Sequence, residues 1–301
     1  MSSAISKEAR AKRTSLLLEA SDKRILVLAG ATGTALQDLN LTAKDFGGDE
    51  FEGCNENLVL TRPDIVTQVH HTYLKTGCDI VETNTFGATT LVLNEYGIGE
   101  KAYEINRLAA HLAREACAKY DKAEKIHFVA GSIGPTTKAL SLTGGITFED
   151  LAKNYYEQAR GLFDGGSDYF LIETCNDGRN VKAALIGIDR LFAERGDRVP
   201  IAVSATIESM GTMLAGQSAE ALVTSLSHRD LFYLGLNCAT GPDFMTDHIR
   251  SIAALSPFRV ACVPNAGLPD EDGNYLESPD MVCKTLQHFV NQGWINLVGG
   301  C

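Results

Sequence analysis

Eight apolar runs punctuate the chain: RILVLAG (24–30), DIVETNTF (79–86), IHFVAGSIG (126–134), YFLIETC (169–175), VPIAVSATI (199–207), LFYLGLNC (231–238), FRVACVPNAG (258–267) and WINLVGGC (294–301). Their cores are short, aliphatic and rich in β-branched residues, as in strands buried on both faces of a parallel sheet. The segments between them read as helices. Thr-Arg-Pro-Asp opens one over 63–75, with proline in its first turn. Ile105, Leu108, Ala109 and Leu112 lie at helical spacing within 101–120. Thr147 and Asp150 form a capping-box-like start to the next, and further helices are expected over 178–194, 217–227, 242–254 and 279–292.

Strictly alternating strands and helices predict an α/β fold, and eight units predict closure into a (β/α)8 TIM barrel. The competing doubly wound sheet lacks its phosphate loop, because the first βα turn, Gly30-Ala31-Thr32-Gly33-Thr34, is not GxGxxG. Residues 1–23 are expected to be a helical extension and 24–301 the barrel. The eighth strand runs to Cys301 with no helix after it, so the barrel is expected to be truncated after that strand. The uncovered flank is costly, since each Å² of apolar surface is worth about 25 cal/mol. An amphipathic helix at about residues 6–20 is the alternative cover.

With 45% hydrophobic and 22% charged residues, the composition is that of an ordinary globular domain. The net charge of −11 argues against nucleic acid and anionic membranes as partners. Polar residues 1–24 and the absence of an apolar span lead to a cytoplasmic expectation. Cysteines at 54, 78, 117, 175, 238, 262, 283 and 301 form no CxxC pair, so most are expected to be reduced, buried and structural. The pair His70-His71 is expected mid-helix without a metal role, Trp294 in barrel packing, and Asp270-Glu271-Asp272 in a solvated loop.

Active sites of such barrels lie where strands end. Those ends carry Ala29-Gly30, Glu82-Thr83-Asn84, Ser132, Glu173-Thr174, Thr206, Asn237-Cys238, Pro264-Asn265-Ala266-Gly267 and Gly299-Gly300-Cys301. Two thiols on one rim, Cys238 and Cys301, suggest a soft-metal site, although their spacing alone is weak support.

The motifs around them resemble the homocysteine S-methyltransferase family: Gly235-Leu236-Asn237-Cys238, Pro264-Asn265-Ala266-Gly267-Leu268-Pro269, Asn296 to Cys301, Glu82-Thr83-Asn84-Thr85-Phe86, Gly131-Ser132-Ile133-Gly134-Pro135 and Glu173-Thr174. Gly53-Cys54-Asn55-Glu56-Asn57-Leu58 and Thr61-Arg62-Pro63-Asp64 are most similar to the N-terminal homocysteine-binding module of cobalamin-dependent methionine synthase. The resemblance implies zinc held by Cys238, Cys301 and a third cysteine that would be the residue after Cys301, with Asn265 as an oxygen ligand when homocysteine is absent. It implies Glu173 for the substrate ammonium, and contributions from Glu82 and Asn84. Ser132 and the backbone N–H groups of Gly131 to Gly134 are candidates for the substrate carboxylate. At Ala29 the family usually has aspartate, so weaker homocysteine binding is expected here.

The implied reaction is zinc-dependent methylation of homocysteine to methionine. Methylcobalamin would be the donor, carried on cobalamin-binding and folate-binding modules elsewhere in a longer chain or in separate subunits. Three alternatives stand beside it: a free-standing betaine- or S-methylmethionine-dependent enzyme, a degenerate barrel without activity, and a phosphate-binding barrel at Gly299-Gly300. The last leaves Cys238 and the Asn265 motif without a purpose.

Overall fold

A computed structural model describes residues 5–268 and 275–301; Pro269 and the stretch Asp270-Glu271-Asp272 lie outside the described residues. Eight parallel strands are present: β1 (Leu26–Val27), β2 (Ile80–Glu82), β3 (Phe128–Ile133), β4 (Tyr169–Cys175), β5 (Ile201–Ala205), β6 (Tyr233–Asn237), β7 (Arg259–Val263) and β8 (Leu297–Val298). They run in the order β1-β8-β7-β6-β5-β4-β3-β2. The remaining seam closes where Leu28 bridges Ile80 and the Ala29 N–H donates to the Ile80 carbonyl at 2.7 Å. The fold is a (β/α)8 barrel.

Helix α1 (Lys7–Lys23) precedes the strands, and α2 (Pro63–Thr76), α3 (Ala102–Ala118), α4 (Phe148–Gly165), α5 (Gly178–Arg195), α6 (Ala219–Leu226), α7 (Pro242–Leu255) and α8 (Pro279–Asn291) follow β1 to β7 in turn. The expected helix starts hold. The Asp150 N–H donates to the Thr147 hydroxyl at 3.1 Å at the head of α4. Thr147→Ala is therefore expected to cost about 1 kcal/mol, measurable as a lower midpoint in a denaturant melt.

Residues alternate along each strand between the barrel interior and the layer under the helices. Leu26, Ile80, Phe128, Tyr169, Tyr233, Ala261 and Leu297 point inward and pack as one cluster at the N-terminal end of the barrel. Val81 and Val129, one residue on, face outward with Leu74, Cys78 and Ala113.

Helix α1 lies across the barrel floor, where Leu17 joins the inward cluster and is fully buried. Arg10 and Arg13 of the helix, and Arg24 just after it, reach residues that precede strands. Arg10 bonds Asp197 at 3.1 Å, Arg13 bonds Asp168 at 2.6 Å, and Arg24 bonds Asp79 at 2.6 Å. The helix thus plugs one end of the barrel and does not take an eighth helix's place on the wall. On that wall Val27 is 40% exposed, and Phe289 is the buried residue of α8. No helix among the described residues is long and apolar enough to cross a membrane.

Candidate active site

The inward-facing positions change character from floor to mouth. Ile80 gives way to Glu82, Phe128 and Ala130 to Ser132, Tyr169 and Leu171 to Glu173, and Tyr233 and Gly235 to Asn237. Strand periodicity therefore places four polar side chains in one ring at the C-terminal end. Above them opens a cavity of about 540 Å³, lined by Glu82, Asn84, Ser132, Glu173, Cys238, Asn265 and Cys301 with segments 31–34 and 55–56. Among the described residues no lysine, arginine or histidine lines it.

Two carboxylates so placed repel each other. Burial pushes the Glu82 carboxyl well above its ordinary range, and the charge of Glu173 adds to that. Burial likewise raises Glu173, and the nearby Cys238 sulfur adds to this, although Ser132 opposes both by donating its hydroxyl to Glu173 Oε1 at 2.5 Å. An uncompensated pair of this kind favours a cationic ligand group.

The thiols meet at the opposite wall. Cys238, Cys301 and Asn265 line the same cavity. Cys301, assisted by the Ala239 N–H and Asn265, holds the Cys238 thiol below its ordinary range against desolvation. Cys301 is raised in consequence. Cys238 and Ala239 have left-handed backbones, with φ of 59° and 61°, which turn the chain abruptly after β6. The Cys301 N–H donates to the Pro264 carbonyl at 2.9 Å, which seats the last residue beside the Asn265 turn. At the β1 exit a Cβ on Gly30 would lie 3.0 Å from the Gly300 carbonyl oxygen, so the two strand exits cross closely there.

The sequence of residues 26–301 matches the family model described as homocysteine S-methyltransferase. The chain belongs to that family. The metallated form of the homocysteine methyltransferase MmuM from Escherichia coli is similar in structure, with a TM-score of 0.74, 21% identity, and 95% of this chain and 93% of that one covered. Its oxidised form gives a TM-score of 0.74 at 20% identity, covering 92% of this chain and 91% of that one. The carboxyl transferase domain of Rhizobium etli pyruvate carboxylase shares the fold at a TM-score of 0.52 and 13% identity, covering 99% of this chain and 44% of that one.

Of the site residues expected in this methyltransferase-family chain, Glu82, Asn84, Ser132, Glu173, Cys238, Asn265 and Cys301 all meet at the one cavity. Ala29 does not. Its methyl faces outward, buried with Leu74, Cys78 and Val81. The carboxylate cradle at Gly131 to Gly134 is also corrected. The Ser132 N–H is taken by Thr83 Oγ1 at 3.0 Å and the Gly134 N–H by the Phe86 carbonyl at 3.0 Å, and the Ser132 hydroxyl is spent on Glu173.

Asn84 is bound to the long β1 loop, donating to the Asn55 carbonyl at 2.7 Å, while Glu56 accepts from the Gly87 N–H at 2.6 Å. These contacts fold residues 55–56 against the mouth as part of its wall, a role sequence reasoning does not give them. The polar run Asn55-Glu56-Asn57 between apolar neighbours is the signal available.

His70 is buried and its Nε2 has no partner, with burial lowering its pKa to about 4, so it is a neutral core residue away from the cavity. Trp294 packs on Phe289, their ring centres 5.7 Å apart.

Proposed function

We propose that this chain activates homocysteine as a thiolate and transfers a methyl group to its sulfur, giving methionine. The observation that carries the reading is the convergence of Cys238, Cys301 and Asn265 on the same cavity as the two uncompensated carboxylates. One end of the cavity suits a sulfur and the other an ammonium, as homocysteine requires.

The donor set suits zinc. Cys238 and Cys301 supply soft thiolates and Asn265 an exchangeable amide. Among the described residues no three His, Cys, Asp or Glu side chains converge, so the amide is needed to make three donors. When bound there, zinc would hold the substrate sulfur as a thiolate at neutral pH, where a free thiol of pKa about 8.5 is mostly protonated.

The protein's own groups do the rest. Glu173, oriented by Ser132, accepts the substrate ammonium, with Glu82 beside it as a second acceptor. The ammonium's charge allows both glutamates to ionise together. Glu173→Gln keeps the bond from Ser132 but removes the charge. It is expected to raise the KM for homocysteine roughly 10- to 150-fold, equivalent to about 1.5–3 kcal/mol, with a smaller change in kcat. An unchanged KM would remove Glu173 from substrate binding.

The methyl donor is the finer part of the proposal. The family motifs at Gly53–Leu58 favour methylcobalamin delivered by a separate module. The likeness in fold to the homocysteine methyltransferase MmuM keeps a small methyl donor, betaine or S-methylmethionine, as the second reading. Incubating the chain with zinc, homocysteine and isotopically methylated methylcobalamin, betaine or S-methylmethionine separates these. Labelled methionine from one donor supports the reading and selects that donor. No methionine from any of the three, with zinc bound, would leave a barrel without this activity.

A further inference from the structure

Asn237 touches three strand exits at once. Its Oδ1 accepts the Thr174 N–H at 3.0 Å, and its Nδ2 donates to Thr174 Oγ1 at 2.9 Å. The same Nδ2 lies 3.9 Å from Cys301 Sγ, in donor range of a sulfur acceptor. Thr174 needs such a clamp, because it holds a left-handed φ of 53°, a region that strains a β-branched residue. Thr174 directly follows Glu173, and Asn237 directly precedes Cys238. One buried amide therefore spans the ammonium end and the sulfur end of the cavity.

We propose that Asn237 is a positioning residue, which sets Cys301 toward the metal-binding point and fixes its separation from Glu173. An N–H donor to a thiolate orients the sulfur and tempers its charge, as outer hydrogen bonds do in metal sites generally. Only a carboxamide supplies the needed pattern at this length: an acceptor for the Thr174 N–H and donors for Thr174 Oγ1 and Cys301 Sγ.

The inference rests on the function proposed above, and its test separates the two. Zinc affinity, measured by competition with a chromophoric chelator, is compared for the wild-type chain, Asn237→Ala and the double variant Asn237→Ala/Thr174→Gly. Glycine relieves the left-handed backbone, so the double variant removes strain as a cause. Both variants are expected to bind zinc 10- to 100-fold more weakly than wild type, a range typical for lost outer-shell partners. In the metal-free proteins, Cys301 is expected to react faster with iodoacetamide in both variants, with Cys238 as the internal reference in peptide mapping.

Wild-type zinc affinity in the double variant would overturn the proposal and reduce Asn237 to a strain clamp. If the wild-type chain holds no zinc, the metal assignment fails. The alkylation rates then decide the matter alone: faster reaction at Cys301 in both variants sustains the positioning role, and unchanged rates overturn it.

Discussion

Cys238→Ser is expected to reduce kcat/KM for homocysteine by more than about 100-fold, because losing an outer-shell partner of a metal already costs 10–100-fold and Cys238 is proposed as a direct ligand. Serine keeps the size and one hydrogen-bonding group of cysteine, but its hydroxyl stays protonated at neutral pH and is a harder donor than zinc prefers. The fold is expected to survive, since Cys238 sits half-buried at the mouth and its backbone N–H still meets the Val263 carbonyl at 3.0 Å. Cys262 supplies the contrast. It lies on the outward face of β7, fully buried 3.8 Å from the Met245 sulfur, and burial pushes its thiol pKa up. Cys262→Ser puts an unpaired hydroxyl in an apolar layer, costing about 1–3 kcal/mol of stability, while activity per folded molecule is expected to persist. Steady-state kinetics and a thermal melt on both variants check this. Equal activity losses in the two, or full activity in Cys238→Ser, would sink the assignment of Cys238.

Strand periodicity made much of this site legible. Once Ile80, Phe128, Tyr169 and Tyr233 are known to point inward, the positions two or four residues on must do so too, and these are Glu82, Ser132, Glu173 and Asn237. The same rule places Ala29 outside, because Leu28 faces in; the family resemblance drew it toward the substrate against the alternation. Partners across strands were harder to read. Whether the Ser132 hydroxyl serves a ligand or Glu173 depends on the pairing of Ser132 with Leu171, which neither strand states by itself. The wall formed by Asn55 and Glu56 comes from a loop without period, so nothing local fixes its path. The seat of α1 was hidden for a related reason: charged pairs over long sequence separations hold it, and no broad apolar stripe marks it. Asp79 and Asp168, each directly before a strand, are the traces it leaves.

Asp168→Ala is expected to give the largest loss of stability, about 3–5 kcal/mol, as for other buried ion pairs deprived of one partner. The Asp168 carboxylate is 2% exposed and accepts from Arg13 Nε at 2.6 Å and Nη2 at 3.1 Å, from the Val129 N–H at 2.8 Å, and from Arg114. Removing it leaves two guanidiniums, at 20% and 17% exposure, facing each other over a lost anion. A typical domain has only 5–15 kcal/mol in hand, so the midpoint should fall by roughly 6–15 °C. The loss would measure the cost of stranded charge more than the net worth of the network, and a triple replacement by packed apolar residues could recover it. The pH dependence has a definite sign. Burial works to raise the Asp168 pKa, but Arg114 and Arg13 outweigh it and hold the carboxyl below its ordinary range. A depressed carboxylate stabilises the fold above its unfolded pKa of about 3.9, and that contribution fades as pH falls below this toward the folded value. Wild type should therefore lose stability between pH 5 and pH 3 more steeply than Asp168→Ala, which has no such group left to protonate. Parallel acid profiles for the two proteins would show that Asp168 is not depressed by its arginines. Because the network lies on the floor, beneath Tyr169 and Leu17, the folded fraction of Asp168→Ala should keep its zinc affinity, which separates the anchor of α1 from the chemistry at the mouth.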